Sequence, residues 1–283
     1  MPDDHACRCR MGRARAICVA PALAALLASA LAALLGALAA ALLAAAPATA
    51  GAQEAAGGAI ARTFELRARD GLARQLDEGY RRHLDWHAAA GDPWSWYLWQ
   101  VTNGERAGLY VDGTFGHAWG DFDAAVDPPG DAADNAMNVN PFAARAASQV
   151  WRRRPDLEPA AAASLDFEQA PYVMRSEYRV RPGAEAAFAD SMRRLRAAAG
   201  ARAYALFELV SGGEPATYVV WAPAASWSDA GAFAERTAES GRALADAAAR
   251  VRAELWRFRP DLSICRTAAA RCHRTLEERA SAR

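Results

Sequence analysis

The sequence contains no lysine, so every one of its basic side chains is an arginine. The 33 arginines balance 33 acidic residues. Without the arginines and aspartates of the first 52 residues, 29 basic side chains face 31 acidic ones. A chain so balanced carries no field that would gather nucleic acid, so no nucleic-acid partner is expected. The arginine-only usage, beside abundant alanine, reads as a compositional bias and not as a binding site. The signatures of nucleotide and nucleophilic chemistry are also missing. There is no G-x-G-x-x-G, no P-loop and no G-x-S-x-G elbow. No cysteine lies between residues 62 and 263, which removes thiol chemistry from the central chain. The tail holds Arg266, Arg271, Arg274, Arg279 and Arg283, interrupted by Glu277 and Glu278, and reads as a solvated helical end.

What is present begins with an export signal. Arg8, Arg10, Arg13 and Arg15 precede an uncharged Ala/Leu run from Ile17 to Ala50, closed by Ala48-Thr49-Ala50. A basic start, an apolar core and small residues at the end describe a secretory leader. The run spans 34 residues, more than the roughly 20 that cross a bilayer. Residues 1–52 are therefore read as a signal peptide or a retained anchor, with any membrane contact made through residues 17–50. The rest of the chain is expected in the periplasm or outside the cell. An oxidising compartment would let Cys265 and Cys272 pair. In a helix their Cα atoms would stand about 10 Å apart, beyond the roughly 7 Å a bridge spans. A bridge therefore requires CRTAAARC to be a loop; free or intermolecularly paired thiols are the alternative.

Two halves of the chain echo each other. ELRARDG at Glu65–Gly71 answers EYRVRPG at Glu177–Gly183, AAAG at Ala88–Gly91 answers Ala197–Gly200, and WRRRPDL at Trp151–Leu157 answers WRFRPDL at Trp256–Leu262. The correspondences keep one order, as an internal duplication would. Each half opens with a strand, Phe64–Arg69 or Tyr172–Arg181. A helix follows, stopped by Gly91 or Gly200 and, in the first half, by Pro93. Hairpin runs come next: Trp94–Thr102 with Leu109–Phe115, and Tyr204–Val210 with Thr217–Trp221. A second helix is expected after Asn140 as N-cap with Pro141 at N1, and from Ser226 or Ser228 to about Trp256. A short last strand is expected at RPDL. The expected domains are a ferredoxin-like unit at 62–158, a linker at 159–171, a second unit at 172–263 and a tail at 264–283.

The stretch PWSWYLWQ, residues 93–100, sets how the units meet. Trp94, Trp96 and Leu98 take one strand face and Tyr97 and Trp99 the other, so both faces should be buried. A lone ferredoxin-like sheet leaves one face bare. The expected class is therefore α+β, with two tandem βαββαβ units whose sheets pack on each other as a fused α/β barrel. On element order and duplication, residues 62–262 resemble the dimeric α/β-barrel superfamily, which includes antibiotic-biosynthesis-monooxygenase-like, NIPSNAP-like and chlorite-dismutase-like proteins. The resemblance implies a fold and a range of activities, haem-dependent oxidation among them. It implies no site residues, because no family-specific catalytic motif is present.

Three groups of residues could carry chemistry. His83 and His87 in HLDWH are spaced i, i+4 on one helix face, as two ligands of one metal would be. The motif lacks the glutamate of H-E-x-x-H, and two histidines alone do not make a site, so no metal is assigned. The alternative is one partly buried histidine beside Trp86 and one in solvent. In VDGTFGHAWGDFD, a continuing strand would put Phe115, His117 and Trp119 on one face, with His117 as ligand or acid–base group; a histidine satisfied by neighbouring aspartates is the alternative. Gly113, Gly116 and Gly120 suggest a bulge or a close backbone approach there. The loop 121–140 carries Asp121, Asp123, Asp127, Asp131 and Asp134, either as hard oxygen ligands for calcium or as ordinary turn formers. It is the expected functional loop. The favoured expectation is a cavity lined by Trp96, Trp99, Phe115 and Trp119, with His117 and His87, binding a small apolar or aromatic molecule without turnover. The rivals are a monooxygenase-like or haem-dependent oxidoreductase, with His117 or His87 on haem or carrying protons, and a purely structural protein.

Overall fold

Runs of alternating, β-branched and aromatic residues build six of eight strands in a computed structural model that describes residues 58–164, 170–200, 202–266 and 272. The first half runs β1 (Ile60–Ala68), α1 (Ala73–Ala89), β2 (Tyr97–Val101), β3 (Tyr110–His117), α2 (Pro128–Asn138) and β4 (Ala143–Arg153). The second runs β5 (Tyr172–Val180), α3 (Glu185–Ala199), β6 (Ala205–Ser211), β7 (Thr217–Ala224), α4 (Trp227–Arg236), α5 (Ala238–Ala247) and β8 (Ala248–Phe258). The protein is thus α+β; the first half runs strand–helix–strand–strand–helix–strand, and the second follows the same order with two helices, α4 and α5, in the place of one. The expected leader, residues 1–52, and most of the tail lie outside the described residues. Among the described residues no helix is long and apolar enough to cross a membrane.

The strands close into one antiparallel barrel in the order β1-β3-β2-β8-β5-β7-β6-β4. Each half supplies four neighbours, β4-β1-β3-β2 and β8-β5-β7-β6. Two seams join them: β2 on β8, with Trp99 opposite Phe258, and β4 on β6, with Trp151 opposite Leu209. The halves therefore do not stack as two separate sheets. They share edges, and their bare faces become the barrel lumen. Trp99, Trp151, Trp221, Trp256, Phe207 and Phe258 fill that lumen and are all buried. Trp99 and Trp221 meet edge to face with centroids 5.1 Å apart, a favoured aromatic geometry. Burying side chains of this size stabilises by a few kcal/mol each.

Part of the lumen is charged. Arg106, from the β2–β3 turn, bonds Glu254 at 2.7 and 2.9 Å and Glu65 at 2.5 Å. Arg175, fully buried, lies 5.0 Å over the Trp256 ring and donates to Glu177 at 2.8 Å. Glu177 also accepts from Arg252. The helices cover the outside. Leu76, Tyr80 and Leu84 of α1, one residue per turn, pack with Leu66, Leu98 and Tyr110. Phe188, Met192 and Leu195 of α3 do the same over Tyr178, Leu206 and Val220.

Several expected boundaries differ. The segment after Asn140 forms strand β4, not a helix, and the helical stretch expected to reach about Trp256 ends at Ala247, where strand β8 begins. Both are rich in alanine and arginine, yet each pairs along two neighbours in the closed ring, which overrides a weak helical preference. The RPDL segments are short 3₁₀ turns at Pro155–Leu157 and Pro260–Leu262. The aspartate-rich loop contains α2, capped by Asp127, whose side chain accepts from the Gly130 N–H, with Pro128 at its start. Ser226 does cap a helix, through the Asp229 N–H. Cys265 and Cys272 are joined by a disulfide, with Cα atoms 5.7 Å apart.

Candidate functional site

Helix α1 has a second buried stripe beside its apolar one: Gly79, His83 and His87. It faces α2, and the two helices approach closely because Gly79 lacks a side chain. A Cβ there would lie 1.8 Å from the Asn138 carbonyl oxygen. This approach brings Asp131, Asp134 and Asn135 of α2, spaced to share one face, against the two histidines. His83 Nδ1 sits 2.8 Å from Asp134 Oδ1, and His87 Nδ1 sits 2.8 Å from Asp92 Oδ2. The two Nε2 atoms are 3.2 Å apart, and Asp131 Oδ1 lies 3.3 Å from one and 3.8 Å from the other. Both rings are buried, so the expected solvated histidine does not occur. His83, His87 and Asp131 are the group of side chains whose atoms could hold a metal ion.

The tryptophan-rich stretch anchors this arrangement. Asp92 accepts from the Trp96 indole at 2.8 Å and from the Trp94 N–H at 2.9 Å, as well as meeting His87. Burial alone would raise its pKa, but these hydrogen bonds outweigh it and hold the carboxyl below its usual value. Trp94 and Trp96 also wall a cavity of about 380 Å³ with Phe64, Phe122, His87 and Asp131. The cavity lies between α1, α2 and the outer face of the sheet, outside the barrel lumen.

Three further polar side chains reach the cavity from the sheet. Asp112 of β3 is buried and accepts from Tyr80 Oη at 2.8 Å. Its other oxygen, Oδ1, has no hydrogen-bond partner among the described residues. Burial pushes the Asp112 carboxyl up to about 6, against the opposing pull of the Tyr80 hydroxyl. Burial and the Asp112 charge raise Tyr80 well above the usual phenol. Arg62 and Arg145 flank Phe64 at 4.6 and 4.7 Å from its ring and also line the cavity.

The expected aromatic cavity is divided. Trp99 and Phe115 point into the lumen, Trp96 and His87 line the outer cavity, and Trp119 is 51% exposed in a 3₁₀ turn. His117 is separated from Phe115 by a bulge. The register against β1 slips there, and Gly116 takes φ +82°, a conformation glycine adopts freely. His117 therefore joins the outer face, where its Nε2 lies 2.5 Å from Thr114 Oγ1 and its ring packs 4.4 Å from Trp94. Burial lowers its pKa, against the raising influence of Asp121 and Asp92. The loop aspartates are not gathered as a calcium shell would be: Asp121 accepts from the Ala118 N–H, Asp127 caps α2, and Asp134 holds His83. Haem does not fit at the Nε2 atoms of His87 or His117. An axial imidazole needs open space beyond its nitrogen, whereas His87 Nε2 meets a second imidazole and His117 Nε2 meets Thr114.

The residues that the sequence hides are Asp92, Asp112, Tyr80, Asn135 and the partnership of Asp131 with the histidines. One readable signal existed. Asp127-Pro128 before DAADNAMN has the form of an N-cap with proline at N1, which places Asp131, Asp134 and Asn135 on one helix face.

No family model matches the sequence, and no curated protein matches it. The fold has solved counterparts. A candidate monooxygenase from Fusobacterium nucleatum subsp. nucleatum superposes with a TM-score of 0.55 at 6% identity, over 70% of this chain and 91% of that one. An anthrone oxidase-like protein gives 0.49 at 11% identity, over 72% and 93%. A chlorite dismutase from Candidatus Nitrospira defluvii gives 0.49 at 10% identity, over 74% and 94%. At such identities the likeness is one of fold, ferredoxin-like α+β.

Proposed function

We propose that the protein is an enzyme, an oxidoreductase of monooxygenase-like type, acting on a small aromatic molecule in the outer cavity between α1 and α2. The observation that carries this reading is Asp112: a buried carboxyl on the wall of an aromatic-lined cavity, whose Oδ1 has no hydrogen-bond partner among the described residues. Such a group is unfavourable for stability and suits a site that must take a proton. With a pKa of about 6 it is a base near neutral pH, where general-base catalysis is effective. Its role would be to remove the acidic proton of a phenol-like substrate. Tyr80 holds the carboxyl in place, and Trp94, Trp96 and Phe122 hold the ring. The candidate monooxygenase of the same fold makes oxidation the first reaction class to try; fold alone carries no activity. A pure binder would not need Asp112 poised in this way.

The tandem origin of the two halves, the unit boundaries at 62–158 and 172–263, and export by the leader into the periplasm or beyond belong to the same proposal. They are supported by the echoed motifs and by the leader's composition.

The test is oxygen uptake and product mass spectrometry with a panel of mono- and polycyclic phenols. The expected result is turnover that rises with pH through about 6 as Asp112 ionises. Asp112→Asn should lower it by roughly 100-fold or more while leaving binding of an unreactive aromatic nearly unchanged. Stoichiometric binding of phenols in the cavity with no turnover across the panel would overturn the enzyme reading in favour of a binder.

A further inference from the structure

We infer that His83, His87 and Asp131 form a binding site for one divalent first-row transition metal, with its open coordination position facing the cavity. The argument starts from protons. Each Nδ1 lies 2.8 Å from a carboxylate oxygen, of Asp134 or of Asp92. A carboxylate only accepts, so each Nδ1 must carry its ring's hydrogen. Both neutral rings then present a bare Nε2 lone pair, and the two Nε2 atoms stand 3.2 Å apart with the ring planes inclined at 70°. A third lone pair, on Asp131 Oδ1, lies 3.3 and 3.8 Å away. Against these three acceptors stands one donor group, the Asn135 amide, 3.0 Å from His83 Nε2 and 3.0 Å from Asp131 Oδ1. Two buried imidazole acceptors and a partly exposed carboxylate converge against one neutral donor, and a cation at their centre balances them.

The spacing specifies the cation. Ligands held at 2.0–2.1 Å in a tetrahedron stand about 3.3 Å from one another, and the observed separations are 3.2, 3.3 and 3.8 Å. Two imidazoles and one carboxylate suit zinc or ferrous iron and not calcium, which prefers six to eight oxygens. The surroundings are built in the same sense. A metal-bound imidazole characteristically donates its second N–H to a carboxylate, which fixes its tautomer, and Asp92 and Asp134 stand in those two positions. The ligands come from two helices locked together at Gly79, and all three line the cavity, leaving space for water or a substrate oxygen. The equivalent helix in the second half, α3, carries no histidine, so among the described residues the site is not repeated. This inference rests on the cluster alone and holds whether or not the oxidoreductase reading does.

The experiment uses the whole chain after dialysis against a chelator, titrated with Co²⁺ by visible absorption and with Zn²⁺ by calorimetry, without substrate. One equivalent of each should bind, with Co²⁺ giving a ligand-field band of low-coordinate type. Asp131→Ala, on a partly exposed helix position, and His87→Ala should each weaken binding by 100-fold or more. Asp92→Asn should weaken it by 10- to 100-fold, and His117→Ala should leave it unchanged. Thermal melts of the unliganded variants check that each remains folded. Lack of saturable binding to the wild-type chain, with a nitrogen-15 signature of one proton shared between the two Nε2 atoms, would overturn the inference. Undiminished binding in Asp131→Ala and His87→Ala would overturn it equally, by placing the metal elsewhere.

Discussion

Replacing Glu177 by glutamine isolates the charge that neutralises a buried arginine inside the barrel. Arg175 has Nε and Nη1 without hydrogen-bond partners among the described residues, and Glu177 accepts from its remaining amine at 2.8 Å. Burial opposes ionisation of Glu177, but Arg175 and Arg252 outweigh it and bring the carboxyl from its ordinary 4.5 down to about 2. A difference of two to three pKa units is worth about 3 kcal/mol at 1.36 kcal/mol per unit. Little discount for solvent is needed, since the side chain is 12% exposed. Breaking a buried ion pair from one side independently suggests 3–5 kcal/mol. Because the folded value is depressed, the stabilisation is full above pH 4.5, declines between 4.5 and 2, and is gone below 2. Urea unfolding at pH 7, 5, 4 and 3 should therefore show Glu177→Gln less stable by about 3 kcal/mol at neutrality, with the gap narrowing at the two lowest values. Adding Arg175→Met should recover most of the loss, since an apolar replacement of a buried pair is often neutral. A gap under 1 kcal/mol, or one that does not change with pH, would refute the reasoning.

Two further outcomes follow from packing. Gly79→Ala forces α2 away from α1, because its Cβ would lie 1.8 Å from a backbone oxygen. It should lower stability by about 2 kcal/mol and speed amide hydrogen exchange across α2 more than across α3. Trp99→Ala, at the centre of the lumen, should lower stability by about 3–5 kcal/mol in urea melts; a loss under 1 kcal/mol would mean the lumen is not close-packed.

The parts of the fold visible in the sequence were those governed by local chemistry. Gly91 and Pro93 mark the end of α1, Ser226 marks the start of α4, and the two-sided apolar strand at Trp96–Trp99 announces burial on both faces. Strands β4 and β8 were hidden because Ala143–Arg153 and Ala248–Phe258 have the composition of helices, and only the ladders on both sides make them extended. The side on which His117 falls turns on one bulge at Gly116, and a shift of one residue reverses a strand's faces. Of the candidate site, the i, i+4 histidines were legible. The meaning of Asp131 was not, since 44 residues separate it from His87 and only the approach of α2 to Gly79 unites them.

The closed ring also has a consequence for how the molecule opens. Every strand is paired on both sides, so no edge is offered to another chain as a template, and the usual route to strand-by-strand aggregation is shut. The ring is not equally strong around its circumference. The seam between β2 and β8 pairs three residues, Trp99 to Val101 against Phe258 to Trp256, extended by the Arg259 N–H to Leu98 and Thr102 N–H to Leu255 bonds; the seam between β4 and β6 pairs four, whereas β1 and β4 pair along nine. The β2–β8 seam is the clasp of the barrel. Should this seam part first, Trp99 and Trp256 would meet water together, and their fluorescence should change before the backbone signal of the barrel is lost; a single coincident transition would place the opening elsewhere.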